Sequence, residues 1–405
     1  MRLARSVIPG PRGLLLVCLV AALALGAPAA RAVTAGEPPP PDVEAQEAVL
    51  VETDLGKTVF ALHAQREAPI ASTTKLMTAY VTLEYEPLNR VLVEQPYDAQ
   101  PGESLAHLPA GDRYSVADLL RGLLLPSGND VAYSLAVDVG GTERHFVSLM
   151  NAAARRLGLS ETRYTTAIGL DTPGNHSSAA DLAALAEDLL RDPFFAAVVR
   201  ERSAYLPRGG VVENTNDLLG AYPFVVGVKT GHTAAAGYCL VGAASWHGVH
   251  LISVVLGDPS NSGRDDDTLA LLRYGLALFH HERFAVEGRE YKEVAVTGSA
   301  QPVALVAERS GGLIVSRDDK VDVSFVGVPR ELQGPIAAGT PEGTLDVTED
   351  GRLALSVPLV TAVAVAAPTP SSAGLYGVAL PLLAGLAGCS LMIMRRSLGR
   401  RGARR

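Results

Sequence analysis

Residues 69–78 read Pro-Ile-Ala-Ser-Thr-Thr-Lys-Leu-Met-Thr. Ser72 opens a run, through Val81, that reads as a helix. Ser72 and Lys75 then stand about one turn apart on the same face. A serine hydroxyl is a poor nucleophile until a base removes its proton. A neutral lysine, its pKa lowered by burial or a nearby positive charge, can be that base. The chain holds 35 basic residues, of which only Lys57, Lys75, Lys229, Lys292 and Lys320 are lysines. A lysine kept against that bias suits a task that needs a deprotonated amine, which a guanidinium cannot supply.

Outward from that stretch lie Ser127-Gly128-Asn129 and Lys229-Thr230-Gly231. Alone, Ser72 would read as a helix cap, Ser127-Gly128-Asn129 as a turn and Lys229 as a solvated strand-end charge. Together and in this order the three patterns arise by chance less than about once in a thousand chains of this composition. Ser127 suits proton delivery to a leaving amine, and Asn129 offers a donor and an acceptor to a peptide-like substrate. Lys229 and Thr230 offer a cation and a hydroxyl to a carboxylate, and Gly231 lets a substrate approach the backbone.

Around these motifs, Ala48–Glu52 and Thr58–Leu62 read as strands joined by a turn, and Ser115 as an N-cap before a helix at Val116–Leu120. Helices are expected at 151–157 and 179–190, and strands at 225–229, 238–244 and 249–256. Without a regular β-α-β rhythm, this reads as α+β. Beyond Phe284, six short β-rich runs separated by Gly, Pro, Asp or Ser predict a small all-β domain. The expected organisation is a catalytic domain over 45–285, the β domain over 287–360 and a linker over 361–372.

The two ends read as an address and an anchor. Residues 1–32 hold four arginines and no acid, a 12-residue apolar stretch from Leu14 to Leu25, and Ala30-Arg31-Ala32, the form of a secretory signal with its cleavage site. Residues 373–394 are 22 uncharged residues, long enough to span a bilayer core of about 30 Å. Six arginines follow in 395–405, a basic tail expected to stay cytoplasmic while the catalytic domain is exported. With both ends set aside, the formal charge of −8 becomes −18 for the body, against nucleic-acid binding. Of three cysteines, Cys18 would leave with the signal, Cys389 lies in the span, and Cys239 reads as a buried small apolar residue. His247 and His250 would face opposite sides of one strand, with no third ligand in view, so no metal site is expected.

The three motifs with their flanks resemble the penicillin-binding proteins and serine β-lactamases, and most closely the low-molecular-mass serine D-alanyl-D-alanine carboxypeptidases. The resemblance includes Pro69–Thr78, Gly122–Asp130, Gly227–Thr233 with Ala236-Gly237-Tyr238, and the β-rich segment, and spans about 45–360. It implies a penicillin-binding, β-lactamase-like catalytic fold. It implies that Ser72 attacks the bond between the last two D-alanines of a peptidoglycan stem pentapeptide, with Lys75 as base and Ser127 assisting the departing D-alanine. Backbone N–H groups of Ser72 and His232 would form the oxyanion hole. Lys229 and Thr230 would hold the terminal carboxylate, and Arg264 resembles a family arginine that helps there. The family often has an aromatic residue after this arginine. Here Asp265, Asp266 and Asp267 follow, so a surface ion-pair cluster is the other reading. β-Lactams would acylate Ser72 and act as inhibitors. No metal or cofactor is implied.

The same motifs would serve a D,D-endopeptidase. A class A β-lactamase would resemble a Glu-x-x-Leu-Asn segment between Asn129 and Lys229, which is absent. A catalytically silent wall-binding scaffold is the non-enzyme alternative.

Overall fold

The computed structural model describes residues 38–367. The expected signal peptide (1–32), the span (373–394), the basic tail (395–405) and the latter part of the linker lie outside them. Among the described residues no helix is long and apolar enough to cross a membrane.

A five-stranded antiparallel sheet runs in the order Lys57–Leu62, Glu47–Glu52, Val249–Asp258, Gly237–Trp246, Val225–Thr233. Its inner strands are apolar on both faces, and the two-residue side-chain period sends neighbours to opposite sides. Val49, Val241 and Val254 enter one core, with the helices Lys75–Tyr85, Val116–Leu124, Asn129–Gly140, Glu143–Arg156 and Ala179–Leu190. Ala48, Leu50, Leu240 and Val255 enter a second core, under the helix Asn261–Leu278. The Lys75–Tyr85 helix is covered nearly all round, with Leu76, Met77, Ala79 and Val81 each inaccessible to solvent. The structure is α+β, as the sequence predicts.

Local chemistry sets several boundaries. Ser115 and Ser178 cap their helices by accepting from the N–H groups of Asp118 and Asp181, each at 3.1 Å. Leu125 closes the Val116–Leu124 helix, and Pro126 follows with no N–H to continue it. The expected helix at Ser72–Val81 begins instead as a 3-10 turn, Ala71–Thr74, and becomes α-helical at Lys75. Helices Asn129–Gly140 and Asn261–Leu278 go beyond the sequence reading.

The strand Phe279–Ala285 pairs with Gly311–Ser316. Beyond it a six-stranded sheet surrounds a core of Leu305, Leu345, Val347, Val357 and Leu359. The last strand, Arg352–Thr361, reaches the first residue expected to be a linker, and an isolated bridge from Ile336 to Val365 ties a later one to this domain. Val365 is buried there because it packs into that core.

Candidate active site

Three elements converge where the central helix begins. The first is the turn Ala71–Thr74. The Thr73 hydroxyl donates to the Ile70 carbonyl at 2.7 Å and fixes its shape. Gly169, at φ +95°, lies directly behind it, where any Cβ would sit inside contact distance of the Ala71 carbonyl oxygen. Lys75, the next residue, is inaccessible to solvent. Its Nζ meets the Ser72 hydroxyl at 3.0 Å, the Asn129 Oδ1 at 2.7 Å and the Ile168 carbonyl at 2.8 Å. Burial pushes the Lys75 amine well below its usual pKa, and the charge of Lys229 pushes the same way, against Asp130 and Glu103. A neutral amine has two N–H groups and one lone pair. Two of its three neighbours are carbonyl oxygens, which only accept, so the lone pair is left for the Ser72 O–H.

The second element carries Ser127 and Asn129. The Gly128 N–H donates to the Gly122 carbonyl at 3.0 Å, folding the chain back on the preceding helix. Ser127 takes a positive φ of 64° and is 3% exposed. Its hydroxyl has no hydrogen-bond partner among the described residues. Burying a hydroxyl unpaired costs about 1–3 kcal/mol, which a substrate contact would recover. The Asn129 amide is used on both sides, its oxygen by Lys75 and its nitrogen by the Glu103 carboxylate at 2.8 Å.

The third element is the edge strand Val225–Thr233. An edge strand presents unpaired backbone groups along one side, and this strand packs against the nucleophile turn at Gly231. Lys229 is 1% exposed, and its Nζ donates to the Thr230 carbonyl at 3.1 Å. Among the described residues no carboxylate pairs with it. Burial lowers its pKa to about 7, helped by the charge of Arg264. The Thr230 hydroxyl is 2.6 Å from that of Thr215. A buried amine with no carboxylate partner, beside a hydroxyl on a free strand edge, offers the chemistry that a carboxylate would pair with.

Arg264 is 3% exposed and chelates one Asp265 oxygen at 2.9 and 2.7 Å. Asp267 turns away to accept from the backbone N–H groups of Glu44 and Ala45. Arg264 and Asp267 are thus buried and held by specific partners, while Asp266 between them is exposed. The exposed His232 ring stacks on Tyr238, with centroids 4.0 Å apart. His250 pairs with Asp54 at 2.9 Å, and Cys239 is buried with its thiol pushed up to about 12 by desolvation. Among the described residues no cluster of His, Cys, Asp and Glu is placed to hold a metal ion.

Sequence reasoning missed Glu103, Tyr97, Thr215 and the Ile168 carbonyl. The first three are polar loop residues that read as solvated, and a backbone carbonyl has no sequence signature.

A family model described as D-alanyl-D-alanine carboxypeptidase matches residues 32–260. The D-alanyl-D-alanine carboxypeptidase DacD of Salmonella typhimurium is 33% identical over 80% of this chain and 87% of its own. Penicillin binding protein 5 from Haemophilus influenzae is 30% identical, covers 81% of this chain and 99% of its own, and superposes with a TM-score of 0.58. The Streptomyces K15 DD-transpeptidase is 33% identical, covers 60% of this chain and all of its own, with a TM-score of 0.56.

Proposed function

The chain belongs to the peptidase S11 family of D-alanyl-D-alanine carboxypeptidases, serine-type hydrolases, and on that footing we propose that it removes the terminal D-alanine of peptidoglycan stem pentapeptides through an ester on Ser72. Lys75 takes the Ser72 proton as Oγ bonds to the penultimate D-alanine carbonyl carbon. The developing oxyanion faces the N–H groups of Ser72 and His232. The C–N bond to the last D-alanine then breaks, and its nitrogen receives a proton through Ser127. Lys229, Thr230 and Arg264 hold the departing residue's carboxylate, and Gly231 lets the substrate lie along the strand. Water, deprotonated by the same base, attacks the ester and frees Ser72 and a tetrapeptide. β-Lactams acylate Ser72 and stall.

The observation that carries this reading is the Lys75 amine, buried and held by two carbonyl oxygens with its third neighbour the Ser72 hydroxyl. The test is D-alanine release from a stem pentapeptide by the purified chain and its Ser72→Ala variant. Release that vanishes in the variant supports the assignment. No release from a folded wild-type chain, with cross-linked peptides cleaved instead, moves the reading to a D,D-endopeptidase.

The same proposal places the enzyme outside the cytoplasm. Residues 1–32 serve as a cleaved secretory signal, and 373–394 anchor the chain in the cell membrane with the arginines of 395–405 inside. The uncharged 22-residue run followed at once by arginines supports this. The β domain then lies between the catalytic domain and the membrane.

A further inference from the structure

Glu103 belongs to none of the three motifs. It sits in the long connection between the strands Val91–Val93 and Arg113–Ser115. Its Oε2 accepts from Asn129 Nδ2 at 2.8 Å and from the Tyr97 hydroxyl at 2.5 Å, and its Oε1 accepts from the Gln100 N–H at 3.1 Å. The connection is stitched to the helix that begins at Asn129. The Asn129 N–H donates to the Ser104 carbonyl at 2.8 Å. The Asp130 carboxylate accepts from the N–H groups of Ala106 and His107 at 3.0 and 2.9 Å. The Tyr97 ring lies 5.7 Å from that of Tyr133 on the same helix.

We propose that Glu103 is a positioning residue for the reaction: its carboxylate locks the Asn129 amide with the oxygen turned onto Lys75. A carboxylate only accepts, so it takes the amide nitrogen. The amide oxygen then has one place to go, which is the Lys75 amine. The lock matters because Asn129 Oδ1 is one of the two acceptors that reserve the lysine lone pair for Ser72. A flipped amide would offer an N–H to that lone pair and compete with the serine.

The same carboxylate sets the charge seen by the base. The charged groups acting on Lys75 are Lys229 from the edge strand, Asp130 from the helix start and Glu103 from this connection. Lys229 favours the free amine, while Asp130 and Glu103 favour the ammonium. Hydrogen bonds from Tyr97, Asn129 and the Gln100 N–H outweigh the burial of Glu103 and hold it ionised.

Glu103→Gln separates these effects from packing. Glutamine fills the same volume, carries no charge and can donate as well as accept, so it permits either orientation of Asn129. The proposal rests on the assignment of Ser72 and Lys75 above, so the experiment first establishes D-alanine release by the full chain and its loss in Ser72→Ala. Failure there overturns the function and not merely the role of Glu103. The rate of acylation by benzylpenicillin is then measured against pH for wild type, Glu103→Gln and Tyr97→Phe, with the melting temperature of each.

In Glu103→Gln the acid limb moves to lower pH by about half a unit or more, since a negative charge that favoured the ammonium is gone. The plateau rate falls about tenfold through misorientation. Tyr97→Phe keeps the carboxylate but removes one of its anchors, so its plateau loss is smaller. A Glu103→Gln chain with the wild-type limb and plateau overturns the proposal. A plateau loss with an unmoved limb and a lowered melting temperature also overturns it, because that is the signature of structural support alone.

Discussion

Gly231 and Ser72 meet backbone to backbone: a Cβ on Gly231 would stand 3.1 Å from the Ser72 nitrogen. The same atom would meet Ala71 Cβ at 3.1 Å and the Ile70 carbonyl oxygen at 3.2 Å. Two of the neighbours belong to the nucleophile turn and the third, Ile70, is the residue before it; two are backbone atoms that cannot rotate away. Gly231 is therefore a point where the edge strand touches the turn, and in the proposed mechanism the distance between them sets the width of the oxyanion hole.

Gly231→Ala should push strand and turn apart by a few tenths of an ångström. Misplacement on that scale lowers acylation by up to about tenfold. The melting temperature should change little, because the strand stays paired with Gly237–Trp246. Stopped-flow acylation by a chromogenic β-lactam, beside a thermal melt, reads both quantities. Wild-type acylation in the alanine variant would show that the gap is not critical.

Lys229 supplies a second prediction. Burial and Arg264 hold its pKa at about 7 in the free protein. At pH 8 it is mostly neutral. A carboxylate arriving beside it favours the ammonium, so binding must take up a proton. Calorimetry of a carboxylate-bearing β-lactam with Ser72→Ala, in buffers of different ionisation enthalpy, should show uptake at pH 8 that fades toward pH 6. Equal heats in all buffers at pH 8 would remove Lys229 as the carboxylate receptor.

Glu94 is a buried acid outside the reaction. It is 1% exposed, and burial with the charge of Asp130 raises its pKa to about 8, against the pull of the Ser134 hydroxyl. An acid raised from 4.5 in the unfolded chain to about 8 in the fold costs no stability below the lower value. The cost grows between the two and is constant above the higher. Glu94→Gln removes the ionisation. It should leave stability unchanged near pH 4.5 and raise the melting temperature by about 2 °C or more at pH 8. A gain that does not grow with pH would contradict the raised pKa.

Much of this architecture was legible because it rests on short-range chemistry. Ser178 announces its helix by capping it, and the strands around Val49, Val241 and Val254 announce themselves by apolar runs too short for helices. Ser72 and Lys75 meet one turn apart as the spacing predicts, and Lys229 acts on Lys75 electrostatically. The Asn129 amide, read as a donor and acceptor for substrate, is instead occupied by Lys75 and Glu103. The helix Asn261–Leu278 was not legible. It opens with Asn-Ser-Gly-Arg and three aspartates, and no single apolar stripe marks it. Some of its polar residues are buried instead, Asp267 on the backbone of Glu44 and Ala45 and Arg264 on Asp265. Glu103 was illegible for a related reason. An acid in a polar loop looks solvated until the fold brings it to Asn129, 26 positions away. Nor did the sequence show that Val365 bridges to Ile336 and packs into the last core, because that pairing is set by tertiary contact.

The central claim is that a neutral Lys75 amine activates Ser72. It is tested most directly by the pH dependence of Ser72 acylation, followed by intact mass with benzylpenicillin, in the wild type and in Lys75→Arg. A guanidinium keeps the charge but does not deprotonate in proteins. The wild type should acylate with an acid limb well below the usual lysine pKa of 10.5. The arginine variant, still folded, should be slower by about a hundredfold or more at every pH. An arginine variant that acylates Ser72 within tenfold of wild type would contradict the account.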